Sequence, residues 1–158
     1  MNLEIQKAVP GDADSIALMT KSLLEEIMGA TGGKHFNIDL PDMSRRCKRF
    51  LEDDIYVVFK ALDTESEALT GFISLCESHS LYAEGSFGII QELYVDKGYR
   101  EHGIGAMLVN RAMEHGTGRG WKRLEVTTPP LPHFDRTVKF YERQNFEVTG
   151  GKKMRVIL

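Results

Sequence analysis

The sequence predicts an α/β (α+β) fold: a mixed, mostly antiparallel sheet of six to seven strands flanked by helices on both faces. Three observations lead there. Short β-rich runs arranged as hairpins alternate with helical stretches that can act as crossovers, the mark of a mixed sheet. A chain of 158 residues, 42% hydrophobic and 27% charged, suits one compact domain with a sizeable core. An apolar run also passes through a glycine turn straight into an amphipathic stretch, giving a strand, a turn and a helix start in that order.

Leu3 and Ile5 alternate with polar residues, so a first strand spans 2–8 until Pro10-Gly11-Asp12 breaks it. Asp12 or Asp14 can cap a helix whose apolar positions Ile16, Met19, Leu23, Leu24 and Ile27 fall three and four apart. Gly29-Ala-Thr-Gly-Gly33 ends it, and the stretch to Pro41 has no clear period. Asp42 or Ser44 then starts a second helix, to about Leu51. Residues 55–62 are β-branched and aromatic and form a strand, 63–67 a turn and 69–76 a second strand, together a hairpin. The polar stretch 78–86 separates these from a third long strand, 87–95. The helix after the glycine turn runs to about His115, where Gly116-Thr-Gly-Arg-Gly120 stops it through positive φ angles. A strand over 122–127, a stiff loop at Pro129-Pro130-Leu131-Pro132 and a helix over 136–144 follow. The chain closes with strands at 146–148 and 154–158, joined across Gly150-Gly151 as a hairpin.

No linker or repeat interrupts this order, so a single domain over 1–158 is expected. The net charge of −3 disfavours a general affinity for nucleic acid or an anionic membrane, while leaving room for a local basic patch around Lys97, Arg100 and His102. Cys47 and Cys76 make neither a disulfide framework nor a metal-ligand cluster and read as reduced thiols, and no metal site is expected. The N-terminus lacks a basic and apolar leader, and no run reaches the roughly 20 apolar residues of a membrane span. A cytoplasmic location is the expectation.

Function hangs on Arg100-Glu-His-Gly-Ile-Gly105, after the run Ile89–Val95 and before the helix at Met107–Met113. Bare N–H groups of residues 101–106 and the positive end of a helix dipole can converge on a phosphate there. Glycines at 103 and 105 let the backbone approach without a Cβ. Two nucleotide patterns fail. There is no Gly-x-x-x-x-Gly-Lys-Ser/Thr, and a dinucleotide turn would need glycine where Leu108 stands.

The form Arg-x-x-Gly-x-Gly after Glu92-Leu-Tyr-Val-Asp, followed by Lys139-Phe-Tyr-Glu-Arg-Gln-Asn-Phe146, resembles the GNAT superfamily of acyl-CoA-dependent N-acetyltransferases. The resemblance covers most of the chain. It implies acetyl-CoA as acyl donor, with its pyrophosphate on Arg100, Glu101, His102, Gly103, Ile104, Gly105 and Ala106. It implies that Leu93, Tyr94 and Val95 bond the amide-bearing arm as an extra strand would, in a gap where the strands at 89–95 and 124–127 splay apart. It implies a backbone N–H near Leu93 or Tyr94 for the developing oxyanion. Tyr141, the tyrosine of the Phe-Tyr pair, is then the acid beside the thioester sulfur, a phenol with pKa about 10. Glu92 is the candidate base, with His133, Asp135 and His79 as alternatives. Alternation puts Glu92 and Tyr94 on one face and Leu93 and Val95 on the other. Two positions depart from the pattern. Many members carry asparagine seven residues before the tyrosine, where this chain has Phe134, and glycine before the last phenylalanine, where it has Asn145, which also tolerates positive φ.

The expected activity is acetyl transfer to a primary amine of a small molecule or peptide. A catalytically inactive acyl-CoA-binding or sensing module of the same fold is the alternative. Acceptor choice falls to the loops at 29–41, 78–86 and 129–135. The edge of a final strand such as 155–158 would permit a homodimer.

Overall fold

The computed structural model describes residues 1–34 and 36–158; His35, in the expected 29–41 loop, lies outside them. One five-stranded sheet runs in the order β1(Leu3–Lys7), β2(Val57–Asp63), β3(Ala68–Ser80), β4(Gly85–Val95), β5(Leu124–Val126). The first three pairings are antiparallel and β4–β5 is parallel. Four α-helices accompany it: α1(Ala13–Thr31), α2(Leu40–Glu52), α3(Ile104–Arg119) and α4(Asp135–Arg143).

Strand alternation sorts the core into two layers. Phe59, Ala61, Ile73, Leu75 and Ile90 face Ile104, Leu108, Val109 and Ala112 of α3 and Tyr141 of α4. Val58, Phe72 and Tyr94 face Ala13 and Ile16 of α1 and Cys47 and Leu51 of α2. Helices thus cover both faces, as expected. Each layer is a fully formed apolar interface, with Phe59, Phe72, Ile73, Leu108 and Val109 wholly inaccessible.

The strand count is a correction. The pair expected at 146–148 and 154–158 does not form, and the sheet has five strands among the described residues. Phe146 instead packs its ring against Tyr141, with centroids 5.2 Å apart. Val148, Met154, Val156 and Ile157 are each at least 78% exposed. β-propensity and a Gly-Gly turn do not make a hairpin when neither strand has a face to bury or an edge to join. The edge expected to carry a homodimer is therefore not a strand here.

Boundaries moved for local reasons. β2 starts at Val57 because the N–H groups of Ile55 and Tyr56 both donate to Phe50 O, closing the end of α2. Neither Asp12 nor Asp14 caps α1 with its side chain: Asp12 accepts from Val9 N and from Lys60 Nζ, tying the loop before α1 to β2. α1 continues through Gly29 and stops at Gly32, φ 72°. Asp39, and neither Asp42 nor Ser44, caps α2 by accepting from Asp42 N. The polar stretch 78–86 is mostly strand: β3 and β4 pair out to Ser80 and Gly85 around a four-residue tip.

α3 passes through Gly116 and Gly118 and ends at Gly120, φ 78°, whose N–H donates to Gly116 O and Thr117 O. Gly116 is a packing glycine. A Cβ there would stand 2.7 Å from the Trp121 ring, and one on Gly88 would stand 2.2 Å from it. Trp121 therefore lies flat against two bare backbones at the start of the β4–β5 ladder. Gly88→Ala should lower stability by about 2 kcal/mol through overpacking, read as a lower urea midpoint with unchanged m-value.

Candidate functional site

β3 and β4 are out of simple register. Leu75 pairs with Ile90 while Ser74 pairs with Glu92, so Gln91 is an extra residue, a β-bulge. Pairing between β4 and β5 covers Gly88–Ile90 against Leu124–Val126 and stops at the same place. Beyond it β4 and the chain after β5 diverge, and a cleft of about 1230 Å³ opens through the sheet. The expected splay is thus formed, with the bulge at its root.

The cleft collects almost every residue singled out in the sequence. Glu92, Leu93, Tyr94, Val95, Arg100, Glu101, Gly103, Ile104, Gly105, Ala106 and Tyr141 all line it, and His102 does not. Of the alternative bases, none reaches it. His133 and Asp135 flank the lining residue Phe134, and His79 lies on the hairpin with Nδ1 3.0 Å from Ser86 Oγ.

Backbone polarity at the gap follows from two hydrogen bonds. Asp96 N donates to Thr70 O and Glu92 N donates to Ser74 Oγ, both toward β3. Alternation then turns the backbone groups of Leu93 and Val95 toward the gap. Val95 O already accepts from Arg100 Nε at 2.8 Å. The N–H and C=O of Leu93 and the N–H of Val95 are left for a ligand laid along β4.

After β4, Asp96 Oδ1 accepts from Gly98 N in a short 3₁₀ turn, and the chain crosses Glu101 at φ 68° to Gly103, φ 78°, the N-cap of α3. The first-turn N–H groups of Ile104, Gly105 and Ala106 have no intrahelical acceptor, as in any helix start. Gly105 has a second role that its motif position does not announce. A Cβ there would meet the Phe140 ring at 3.2 Å, so this glycine lets α4 close against α3 and bring Tyr141 to the cleft.

Arg100 lines the cleft but spends its donors within the protein. Its guanidinium forks onto both carboxylate oxygens of Glu26 on α1, each at 2.8 Å, and lies 5.6 Å from the Tyr94 ring centroid. It fastens the glycine turn to β4 and to α1. The bond holds the Glu26 carboxyl below its ordinary value, so this contribution to stability is present above the unfolded pKa and fades as pH falls. Arg100→Ala should cost about 1 kcal/mol after discounting for the partial exposure of the pair. Arg100→Lys, which cannot fork, should recover less than half, by urea denaturation at pH 7.

Glu92 faces the α1–α2 side, as alternation predicts past the bulge. Its carboxylate accepts from Ser74 Oγ at 2.9 Å and Tyr56 OH at 3.2 Å, with no cation in contact among the described residues. Burial outweighs those bonds and raises its pKa. The same surroundings push the Cys47 thiol up to about 11. Tyr141 approaches from the α3–α4 side, almost fully buried between Phe140 and Phe146, and burial alone pushes its phenol well above 10. Ser74 and Tyr56 are invisible as site residues in the sequence, because they reach Glu92 only through pairing across 18 and 36 positions. Asn145 has φ 68°, the conformation expected of it in the place of glycine.

Among the described residues no group of three His, Cys, Asp or Glu side chains is placed to hold a metal ion, and no helix is long and apolar enough to cross a membrane. The profile of the acetyltransferase (GNAT) family matches residues 21–146. A comparison with curated protein sequences finds no match. Among solved structures, the chain superposes on a possible acetyltransferase from Clostridium difficile 630 with TM-score 0.80 and 19% identity, over 100% of this chain and 99% of that one. An aminoglycoside acetyltransferase from an uncultured soil metagenomic sample gives 0.74 at 20% identity, over 99% and 97%. A ribosomal-protein-alanine N-acetyltransferase from Brucella melitensis biovar Abortus 2308 gives 0.70 at 20% identity, over 99% and 98%. At such identities the likeness is one of fold.

Proposed function

Because the chain belongs to the acetyltransferase (GNAT) family, we propose that it transfers an acetyl group from acetyl-CoA to a primary amine by direct attack on the thioester. One observation carries the reading. A base-competent carboxylate and a phenol, Glu92 and Tyr141, enter one cleft from opposite faces of the sheet, at the point where β4 and β5 part.

The residues present fit the donor. The first turn of α3 supplies bare N–H groups for a pyrophosphate, and the free backbone groups of Leu93 and Val95 match an amide-bearing arm. Acetyl-CoA, when bound, supplies an activated acyl carbon and a thiolate leaving group. Glu92 takes the proton that the amine nitrogen loses as its bond to carbon forms, directly or through one water. Its raised pKa makes it a stronger base than an exposed carboxylate. Tyr141 stays protonated at any physiological pH and so donates a hydrogen bond to the sulfur as the C–S bond breaks. Complete transfer from so weak an acid to a thiolate of pKa about 8.5 is uphill; the phenol's role is to hold developing charge. The N–H of Leu93 faces the gap and is available to polarise the acyl carbonyl.

Incubation with acetyl-CoA and a panel of small amines and short peptides, following free thiol, tests the reading. Amine-dependent thiol release supports it, whereas tight coenzyme A binding without turnover on any amine rejects it in favour of a binding module.

A further inference from the structure

The α1 side of the cleft is hydrocarbon. Leu23, Leu24 and Ile27 line it from α1, and Phe36 from the loop that follows. Three carboxylates reach the cleft among the described residues: Glu26, Glu92 and Glu101. Both oxygens of Glu26 are taken by Arg100. Glu101 belongs to the glycine turn that opens α3. Glu92 alone remains for an amine, and it sits on the same face of the sheet as α1, held by two hydroxyls with no counter-ion. The opposite wall carries Arg136, Arg143, Lys153 and Arg155, none of them ion-paired among the described residues. Among the described residues, a second positive charge on an acceptor would find only Glu101, in the glycine turn assigned to the donor's pyrophosphate, and several cations to repel it.

Resting on the transferase reading above, we propose that the acceptor is a monoamine with an apolar body. Its single amino group reaches Glu92, and its hydrocarbon lies on Leu23, Leu24 and Phe36. Polyamines and aminoglycosides are excluded by charge, whatever the fold shares with an aminoglycoside acetyltransferase. The nitrogen forms its bond to the acyl carbon, the C–S bond breaks, Glu92 keeps the proton and the thiolate departs.

The full chain is assayed with acetyl-CoA and, in turn, phenethylamine, spermidine and kanamycin. Phenethylamine should show kcat/KM at least about tenfold above either polycation. Leu24 is partly exposed, so its replacement is compatible with folding, which an unchanged melting transition checks. Leu24→Gln should weaken phenethylamine binding, measured by calorimetry on the chain saturated with coenzyme A, by about tenfold. Leu24→Glu should shift preference toward spermidine by a similar factor. Equal or better use of spermidine or kanamycin by the wild type, or phenethylamine binding indifferent to both Leu24 variants, overturns the assignment of the acceptor. Absence of thiol release with every amine, at undiminished coenzyme A binding, overturns the transferase reading itself.

Discussion

Glu92→Gln should reduce kcat by about 100-fold or more, the usual worth of a positioned general base, with the KM for acetyl-CoA changed less than about threefold. The amide keeps the shape and can still meet Ser74 and Tyr56, so the loss is of basicity and not of packing. Two further readouts separate a base from a structural carboxylate. The wild-type rate should rise with pH through the Glu92 pKa, which burial holds above the ordinary 4.5, and the variant should lack that limb. Stability should move the other way. Because the folded pKa is raised, the folded chain binds more protons than the unfolded one between the two values, and stability falls as pH rises through that window. Above that window the wild type carries a buried charge at a cost, and there the Gln variant should melt at the same temperature or higher. A variant that loses kcat and melting temperature together would instead mark Glu92 as a structural acceptor for Ser74 and Tyr56.

Tyr141→Phe should lower kcat by about 10- to 100-fold while coenzyme A affinity and melting temperature stay close to wild type. The ring already sits in an apolar nest of Phe140 and Phe146, and among the described residues no group pairs with its hydroxyl. Among the described residues no partner is left unsatisfied by removing that oxygen, so the change isolates the donation to sulfur. Acetyl thioester donors with a better leaving group should narrow the gap between wild type and variant, since a stabler thiolate needs less help. Equal kcat for Tyr141→Phe and wild type would reduce Tyr141 to a packing residue.

Much of this was legible because it is local. The strand–turn–helix at 87–115 and the Phe-Tyr pair at 140–141 are short-range patterns, and both arrive at the cleft. The facing of Glu92 and Tyr94 against Leu93 and Val95 also follows from plain alternation, since all four lie beyond the bulge. Upstream the same rule fails. Ile90 and Leu93 are three apart yet touch the same apolar layer, because Gln91 interrupts the period of two. The alliances around the site were hidden for a related reason. Glu26 with Arg100, and Tyr56 and Ser74 with Glu92, are set by tertiary pairing across 74, 36 and 18 positions, and no periodicity encodes them. The missing terminal strands show the converse. Residues 154–158 have strand propensity, but propensity is realised only against a neighbour.

The bulge at Gln91 has a consequence beyond geometry. Ile90 and Glu92 are opposite consecutive residues of β3, so removing Gln91 would leave every side chain on the face it now occupies. What would change is the bend. A regular β4 would run on beside the chain after β5, and the ladder that now halts at Val126 could zip further. The shortened protein would be sturdier and sealed, its carboxylate and phenol intact on either side of a closed wall. A one-codon deletion thus separates possession of the chemical groups from access to them, and the chain carries one residue more than its sheet requires in order to stay ajar.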